Sequence, residues 1–523
     1  MRKKVIGIAV VVVILGTAAI LYRTLQPNKY CVEDILAVYQ EHEDYNDITI
    51  EYPLNETLFP PEMVPPVYRW NDSDPASRAW LIRFEFADGK PCMNFIAQRQ
   101  HWTPRPEDWE NIKHRSLEKD AKVIILGAGY GEPVRILSQA SMSFKTSKDP
   151  VGAPLFYREV NLPFKDADKD RSHIRWRFGS IDSPKPPIVL QNMPVCSNCH
   201  SFSRDGSTLA MDVDYASNKG SFIITAVKEQ MVLASKDIIT WDDYLPEDGE
   251  DSYGLLSQIS PDGRYVISTV NDKSVFIPRP GLAFSQLFFP IRGILCVFDR
   301  ETGRFCALPG ADDPEFVQSN PTWSPDGKYI VFARTKAYDS QHTKHQGKRP
   351  PTPAECEDII KDGKPFKFDL YRVPFNGGAG GTPAPVKGAS NNDMSNFFAR
   401  YSPDGRWIVF CKAKSYMLLQ PDSELYIIPA KGGDARRLRC NTSRMNSWHS
   451  WSPNGKWLVF SSKAYSDYTQ LCLTHIDENG YSTPAVLLEH LTAPDRAANI
   501  PEFVNTHPGA IIKINAQFLK TKK

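Results

Sequence analysis

The sequence predicts an all-β protein: a six-bladed β-propeller, with seven blades as the alternative count, preceded by a small β-sandwich and an N-terminal transmembrane helix. Three observations carry this reading. A five-residue turn pattern recurs five times between residues 202 and 455. The 523 residues include 42 Pro and 31 Gly, a supply of turn formers that suits many short strands. One uncharged run near the start is long enough to cross a bilayer.

Composition narrows the functional classes. Lys plus Arg number 62 against 61 Asp plus Glu, a net charge of +1. A nucleic-acid binder would show a basic excess or a clustered basic face, so no nucleic-acid partner is expected. With 24% charged and 41% hydrophobic residues the chain is globular, neither disordered nor fibrous. Ten cysteines are too few for a disulfide-stapled scaffold of this length.

Residues 1–30 read as a signal anchor. Arg2, Lys3 and Lys4 precede Val5–Tyr22, 18 residues without a charge. At about 1.5 Å per residue that run spans roughly 27 Å, near the hydrocarbon thickness of a membrane. Thr17-Ala18-Ala19-Ile20 is a poor cleavage site, and Tyr30 stands where a lipoprotein needs a small residue before Cys31. A cleaved signal is the alternative. In either case everything after Arg23 is exported.

Residues 31–170 lack repeats and read as an immunoglobulin-like β-sandwich. Strand-like runs occur at Ile48–Tyr52, Val67–Trp70, Ala79–Phe86, Met93–Ala97, Lys122–Leu126 and Ile136–Phe144, with one helix near Pro106–His114, where Pro suits a helix start. Gly127-Ala-Gly-Tyr-Gly131 follows a strand but lacks the third glycine of a dinucleotide loop, so it reads as a hairpin.

Residues 171–523 carry the repeats: Phe202-Ser-Arg-Asp-Gly206, Ile259-Ser-Pro-Asp-Gly263, Trp323-Ser-Pro-Asp-Gly327, Tyr401-Ser-Pro-Asp-Gly405 and Trp451-Ser-Pro-Asn-Gly455. Pro presets φ, Asp or Asn bonds the local backbone, and Gly takes the positive-φ position. Each pattern therefore joins an aromatic-bearing or apolar strand to a β-branched one. A second hairpin, such as Val297–Phe305, completes a four-stranded blade. The turn serines are 57, 64, 78 and 50 residues apart, so the longer intervals hold insertions beyond the usual about 40–50 per blade. The insertion at Pro280–Ile291 is apolar and is expected to pack over the propeller, with a partner surface as the alternative. The one at Ser340–Phe366, with His342, Lys344 and His345, reads as a solvated loop. Ile500-Pro-Glu-Phe503 begins a sixth unit, which strands near Ile174–Phe178 and Ile188–Gln191 would complete, closing the ring from both chain ends.

These Ser-Pro-Asp-Gly repeats, over roughly residues 195–510, resemble those of the TolB-type β-propellers of the bacterial envelope. The resemblance implies a propeller facing the periplasm and, as one functional reading, a non-enzymatic scaffold for envelope proteins. No Gly-x-Ser-x-Gly elbow is present, against the related propeller-bearing peptidases.

Cys196-Ser-Asn-Cys199-His200 resembles the attachment motif of c-type cytochromes, Cys-x-x-Cys-His. In such proteins both thiols bond the haem vinyl groups and the imidazole reaches the iron. One covalent haem c on Cys196 and Cys199 is therefore expected, with His200 as proximal iron ligand. A zinc site, a strained local disulfide and inert thiols are the other readings. His200 lies two residues before Phe202, and His449 lies two before Trp451 in the fifth repeat. Equivalent positions suggest that the two imidazoles converge, which makes His449 the candidate distal ligand. Met394, Met445 and an open site are the alternatives. The first functional expectation is thus a membrane-anchored exported cytochrome serving electron transfer or redox sensing with redox partner proteins. No paired catalytic carboxylates stand out, since Asp205, Asp262 and Asp326 are explained by turns. Cys296 and Cys306 flank one hairpin and suggest a cross-strand pair, while Cys411, Cys440 and Cys472 read as small core residues.

Overall fold

The computed structural model describes residues 30–41, 43–129, 131, 133–163, 167, 169–193, 197–216, 218–248, 252–338, 357–361 and 363–517. The expected membrane helix at 5–22 and most of the polar insertion at 340–366 lie outside these residues. Among the described residues no helix is long and apolar enough to cross a membrane. The chain divides into two compact units, residues 1–56 with 67–145, and 57–66 with 146–523.

The first unit is built on antiparallel strands. Met93–Ala97, Ser77–Phe86, Ala121–Gly129 and Arg135–Thr146 lie side by side in that order, and Asn46–Tyr52, Tyr68–Asp72 and His101–Trp102 continue from Arg135–Thr146 through a two-residue parallel contact. Aromatic rings fill the space between the two sets: Tyr68 and Trp102 meet Phe84 edge-on or tilted at 5.7 and 5.8 Å between centroids. The helix Pro106–Arg115 starts on Pro, as expected, and buries Trp109 and Ile112. Gly127 and Gly129 belong to a strand paired with Arg135–Thr146. A Cβ at Gly127 would collide with Ser138 Oγ at 2.1 Å, so close packing explains this glycine and no phosphate loop is formed.

The second unit is a six-bladed propeller. Each of the five turn patterns opens a four-stranded antiparallel sheet, with inner strands Ser197–Phe202, Leu255–Ile259, Phe316–Trp323, Ser395–Tyr401 and Asn446–Trp451 for blades one to five. The sixth sheet takes Ala497–Phe503 from the C-terminal side, then Leu155–Val160, Arg175–Gly179 and Ile188–Gln191 from the N-terminal side. The sixth blade thus joins strands from both sides of the repeats, and its first strand starts at Leu155, ahead of the boundary at 171 that the sequence suggested.

The turn chemistry repeats in detail. In blade three, Ser324 Oγ donates to Asp326 Oδ1 at 2.6 Å and accepts from Tyr329 N at 2.9 Å, while Asp326 Oδ1 accepts from Lys328 N at 3.1 Å. Gly327 follows at φ 69°. The other four turns copy this arrangement, including Asn454 in blade five.

Every inner strand carries a one-residue bulge. In blades two to six the unpaired couples are Leu256-Ser257, Asn320-Pro321, Phe398-Ala399, Trp448-His449 and Ile500-Pro501. The first member of each has φ between 51° and 60°, a left-handed conformation that L-residues adopt reluctantly. The bulge turns the side chain out of the ladder. Phe398 and Trp448 then meet with ring centroids 4.5 Å apart. Blade one differs: its couple is Asn198-Cys199, one step earlier, and His200 is an ordinary paired residue opposite Met211.

Candidate functional site: the propeller channel

The described residues line two cavities along the channel. One, of about 180 Å³, lies on the side of Cys199 and is lined by Cys199, Asn198, Asp212, Arg158 and Asn499, with Leu256, Phe276, Phe288, Leu418 and Trp448 as its apolar wall. The other, of about 320 Å³, lies on the turn side against Gln258, Trp323, Arg400, His449, Trp451 and Glu502. Trp448 and Ile500 border both, so the bulge residues form the waist between them.

The apolar insertion covers the first cavity. Strands Tyr265–Pro278 and Gln286–Asp299 form one long hairpin, and Phe276, Ser285, Gln286 and Phe288 reach the cavity wall. Phe289 stacks on Tyr416 at 4.8 Å and tilts against Phe366 at 5.4 Å. At the tip, Lys463 Nζ donates to Leu282 O at 2.6 Å and to Ala283 O at 3.1 Å. Burial pulls this ammonium down to about 8. Leu287, Phe289 and Ile291 are buried. The insertion therefore straps the channel, as its composition suggested, and its apolar residues face inward.

Cys196 lies outside the described residues. Cys199 is 6% exposed, and its backbone N–H donates to Asp212 Oδ2 at 3.2 Å. Burial first, then the Asp212 charge, hold its thiol well above the ordinary value. Burial likewise pushes Asp212 up to about 8 and Asp272 up to about 7.

His200 is 1% exposed, and among the described residues neither ring nitrogen has a hydrogen-bond partner. The ring packs edge-on against Phe156 at 4.7 Å between centroids, in the seam toward the sixth blade. Burial lowers its pKa to about 3, offset in part by nearby backbone of Phe156, Ile500 and Asn198 that stays short of hydrogen-bond geometry. An unsatisfied buried polar atom costs about 1–3 kcal/mol, so this ring is chemically incomplete.

His449 is complete. Its Nε2 lies 3.0 Å from Val409 O and its Nδ1 3.8 Å from Cys411 Sγ, both in blade four. The two imidazoles thus occupy different seams, and the geometry does not bring them together as the repeat alignment suggested. The reason is the shifted bulge of blade one, which pairs His200 where blade five leaves His449 unpaired. Neither Met394 nor Met445 lines either cavity. Cys296 and Cys306 are not opposite each other either: the register sets Cys306 against Val297 and Cys296 against Ala307, and both thiols are free. Cys411, Cys440 and Cys472 are buried and free, as core residues.

Sequence reasoning missed Arg400 and Glu502. Each sits one residue before the last residue of its inner strand, and only the assembled ring shows that both reach the channel. Arg400 Nη1 donates to Gln258 Oε1 at 2.8 Å. Glu502 Oε1 accepts from Phe202 N at 3.2 Å, and burial pushes this carboxyl up to about 7 against the pull of Arg400.

Among the described residues no group of three or more metal-ligating side chains occurs. No family model matches the chain, and no curated relative matches it. Solved structures with a similar chain path include hydrazine synthase of Kuenenia stuttgartiensis, at 14% identity, covering 54% of this chain and 76% of that one with TM-score 0.30. A putative 6-phosphogluconolactonase of Bacteroides uniformis matches at 10% identity over 82% of this chain and all of the other, TM-score 0.29. The β-propeller domain of Cps50 from Myceliophteria thermophila matches at 10% identity over 55% and 86%, TM-score 0.27.

Proposed function

We propose that this chain is an exported β-propeller of the bacterial envelope, membrane-anchored through its N-terminal helix, that carries one covalent haem c on Cys196 and Cys199 for electron transfer or redox sensing. The observation that carries the reading is His200: a buried imidazole that lines neither cavity, whose two nitrogens have no partner among the described residues, directly following a thiol that faces a mostly apolar cavity. Neutral imidazole is the form that ligates iron, and an orphaned ring is what a missing partner leaves behind. The residues that would hold the group are Cys196 and Cys199 through thioether bonds and His200 through a ring nitrogen. A bound haem would supply one-electron chemistry, with the potential set by its axial ligands and surroundings.

The protein's own part is to exclude water and fix polarity. The strap residues Phe276 and Phe288 and the waist residue Trp448 keep the Cys199 side of the channel apolar, and Arg158 and Asp212 place polar groups at its edge. His449, hydrogen-bonded to blade four, is not assigned as a ligand.

The test is a pyridine haemochrome spectrum of the full chain produced with a cytochrome-maturation system. A thioether-type spectrum that weakens stepwise in C196A and C199A is expected. Two unmodified thiols by intact mass, from a host able to perform the attachment, would overturn the proposal.

A further inference from the structure

The turn-side chamber carries chemistry that the haem reading does not use. Arg400 and Glu502 face it from blades four and six, and among the described residues the hydrogen bonds of their charged groups are those to Gln258 Oε1 and from Phe202 N. No ion pair joins them within 4 Å among the described residues. One guanidinium edge and one carboxylate oxygen are therefore open toward the same space of about 320 Å³. A guanidinium and a carboxyl that feel each other's charge without an ion pair within 4 Å are complementary to a ligand that carries both charges, whose ammonium would favour the ionised form of Glu502. The remaining wall mixes aromatic rings with prolines and polar side chains such as Thr322, Ser450 and Asn505. Trp323 and Trp451 spend their indole N–H groups on Gln258 O and Arg400 O, which leaves their rings as apolar surface beside Phe398.

The mouth of the chamber is guarded. Blade one has Arg204 where blades two to five have Pro261, Pro325, Pro403 and Pro453. The Arg204 guanidinium crosses to the turns of blades three and four and donates to Pro325 O at 3.2 Å and Pro403 O at 3.4 Å. These are long, exposed bonds of a side chain that gives way at small cost.

We propose that this chamber binds a free α-amino acid with a large apolar side chain, the carboxylate on Arg400, the ammonium on Glu502 and the side chain against Trp323, Trp451 and Phe398. Arg204 bars the mouth and releases to admit it. Charge-assisted pairs at both ends of the ligand are the stronger class of hydrogen bond, and each enforces the other by fixing the distance between them. A monocarboxylate would leave Glu502 unanswered, and an amine would leave Arg400 so.

The experiment is isothermal titration of the full chain with L-phenylalanine and L-leucine, beside 3-phenylpropionate, which lacks the ammonium, and L-phenylalaninamide, which lacks the carboxylate. The amino acids are expected to bind at least ten-fold more tightly than either analogue. E502Q, which keeps the Phe202 contact, is expected to lose at least ten-fold for L-phenylalanine and nothing for 3-phenylpropionate. R400Q is read only if its melting temperature matches the parent, and R204A is expected to bind faster with the same selectivity. No heat with either amino acid, equal binding of 3-phenylpropionate, or full affinity in E502Q would each overturn the assignment. Haem content is measured in the same samples, so failure here is distinguishable from failure of the haem proposal.

Discussion

Asp272 sits at the root of the strap, inside the register irregularity between Val270 and Lys273 of the long hairpin. Its carboxyl accepts from Tyr253 N at 2.8 Å and Gly254 N at 3.4 Å through Oδ1, and Oδ2 has no partner. The residue is 3% exposed, and burial raises its pKa from 3.8 to about 7. The sign follows directly. Between these two values the folded protein keeps the proton and the unfolded chain has lost it, so rising pH favours unfolding until the folded carboxyl also ionises. Between pH 5 and pH 8 the loss amounts to about two pKa units, roughly 2–3 kcal/mol at about 1.36 kcal/mol per unit. D272N keeps the Oδ1 acceptor and carries no charge at any pH. Its melting transition is expected to gain on that of the parent by that amount as pH rises from 5 to 8. Glu502, also raised, contributes equally to both proteins and cancels in the difference; Asp212 is raised in part by the Asp272 charge itself, so parent and variant are compared in a D212N background. A parent and variant with parallel pH profiles would refute the claim that Asp272 is neutral in the folded state.

Three further outcomes follow from single contacts. H449A removes a buried ring and strands Val409 O, so it is expected to cost about 2–4 kcal/mol of stability; an unchanged haem spectrum in the loaded protein would agree with its structural role. K463M removes both hydrogen bonds that hold the strap tip. Chymotrypsin cleavage within Leu282–Phe284 is expected to rise several-fold, and equal cleavage would mean that the apolar strap residues suffice. Cys306 is exposed and Cys296 buried, so maleimide is expected to label Cys306 in the native state and Cys296 only after unfolding; a Cys296–Cys306 disulfide in non-reducing mass maps would contradict the register.

The blade repeats were legible because the turn chemistry is local: Ser, Pro, Asp and Gly each act within five residues of one another. The C-terminal contribution to the sixth blade was legible for the same reason, through its likeness to the strand before Trp323. Leu155–Val160 was missed as part of that blade. Every one of its residues is buried, so no alternation marks it, and Arg158 and Glu159 disguise it as surface. Glu159 is paired with Arg175 and Arg177 inside the blade, a satisfaction that no local pattern records. The alignment of His200 with His449 was correct as sequence and misleading as geometry, because the position of a bulge depends on the neighbouring strand.

That bulge also explains why the Cys199 cavity exists. Five blades hold a non-glycine residue at positive φ, at a cost of roughly 1–2 kcal/mol each. Three of them, Leu256, Phe398 and Ile500, are buried, which returns roughly 1.5–3 kcal/mol apiece, and a fourth is the half-buried Trp448. Blade one contributes a small cysteine at that level instead, and the space beside it stays open at about 180 Å³. Cys199 is therefore nearly as buried as Cys411 yet differs in what surrounds it. Cys411 is enclosed by Ser447 Oγ at 3.7 Å, Asn446 O at 3.7 Å and His449 Nδ1 at 3.8 Å. C199L has room to extend into the cavity and is expected to change the stability of the haem-free protein by less than about 1 kcal/mol, whereas C411L overpacks its seam and costs about 1–3 kcal/mol. If C199L in the haem-free protein proves as damaging as C411L, the thiol does not face open space, and neither the cavity nor the tether reading built on it survives.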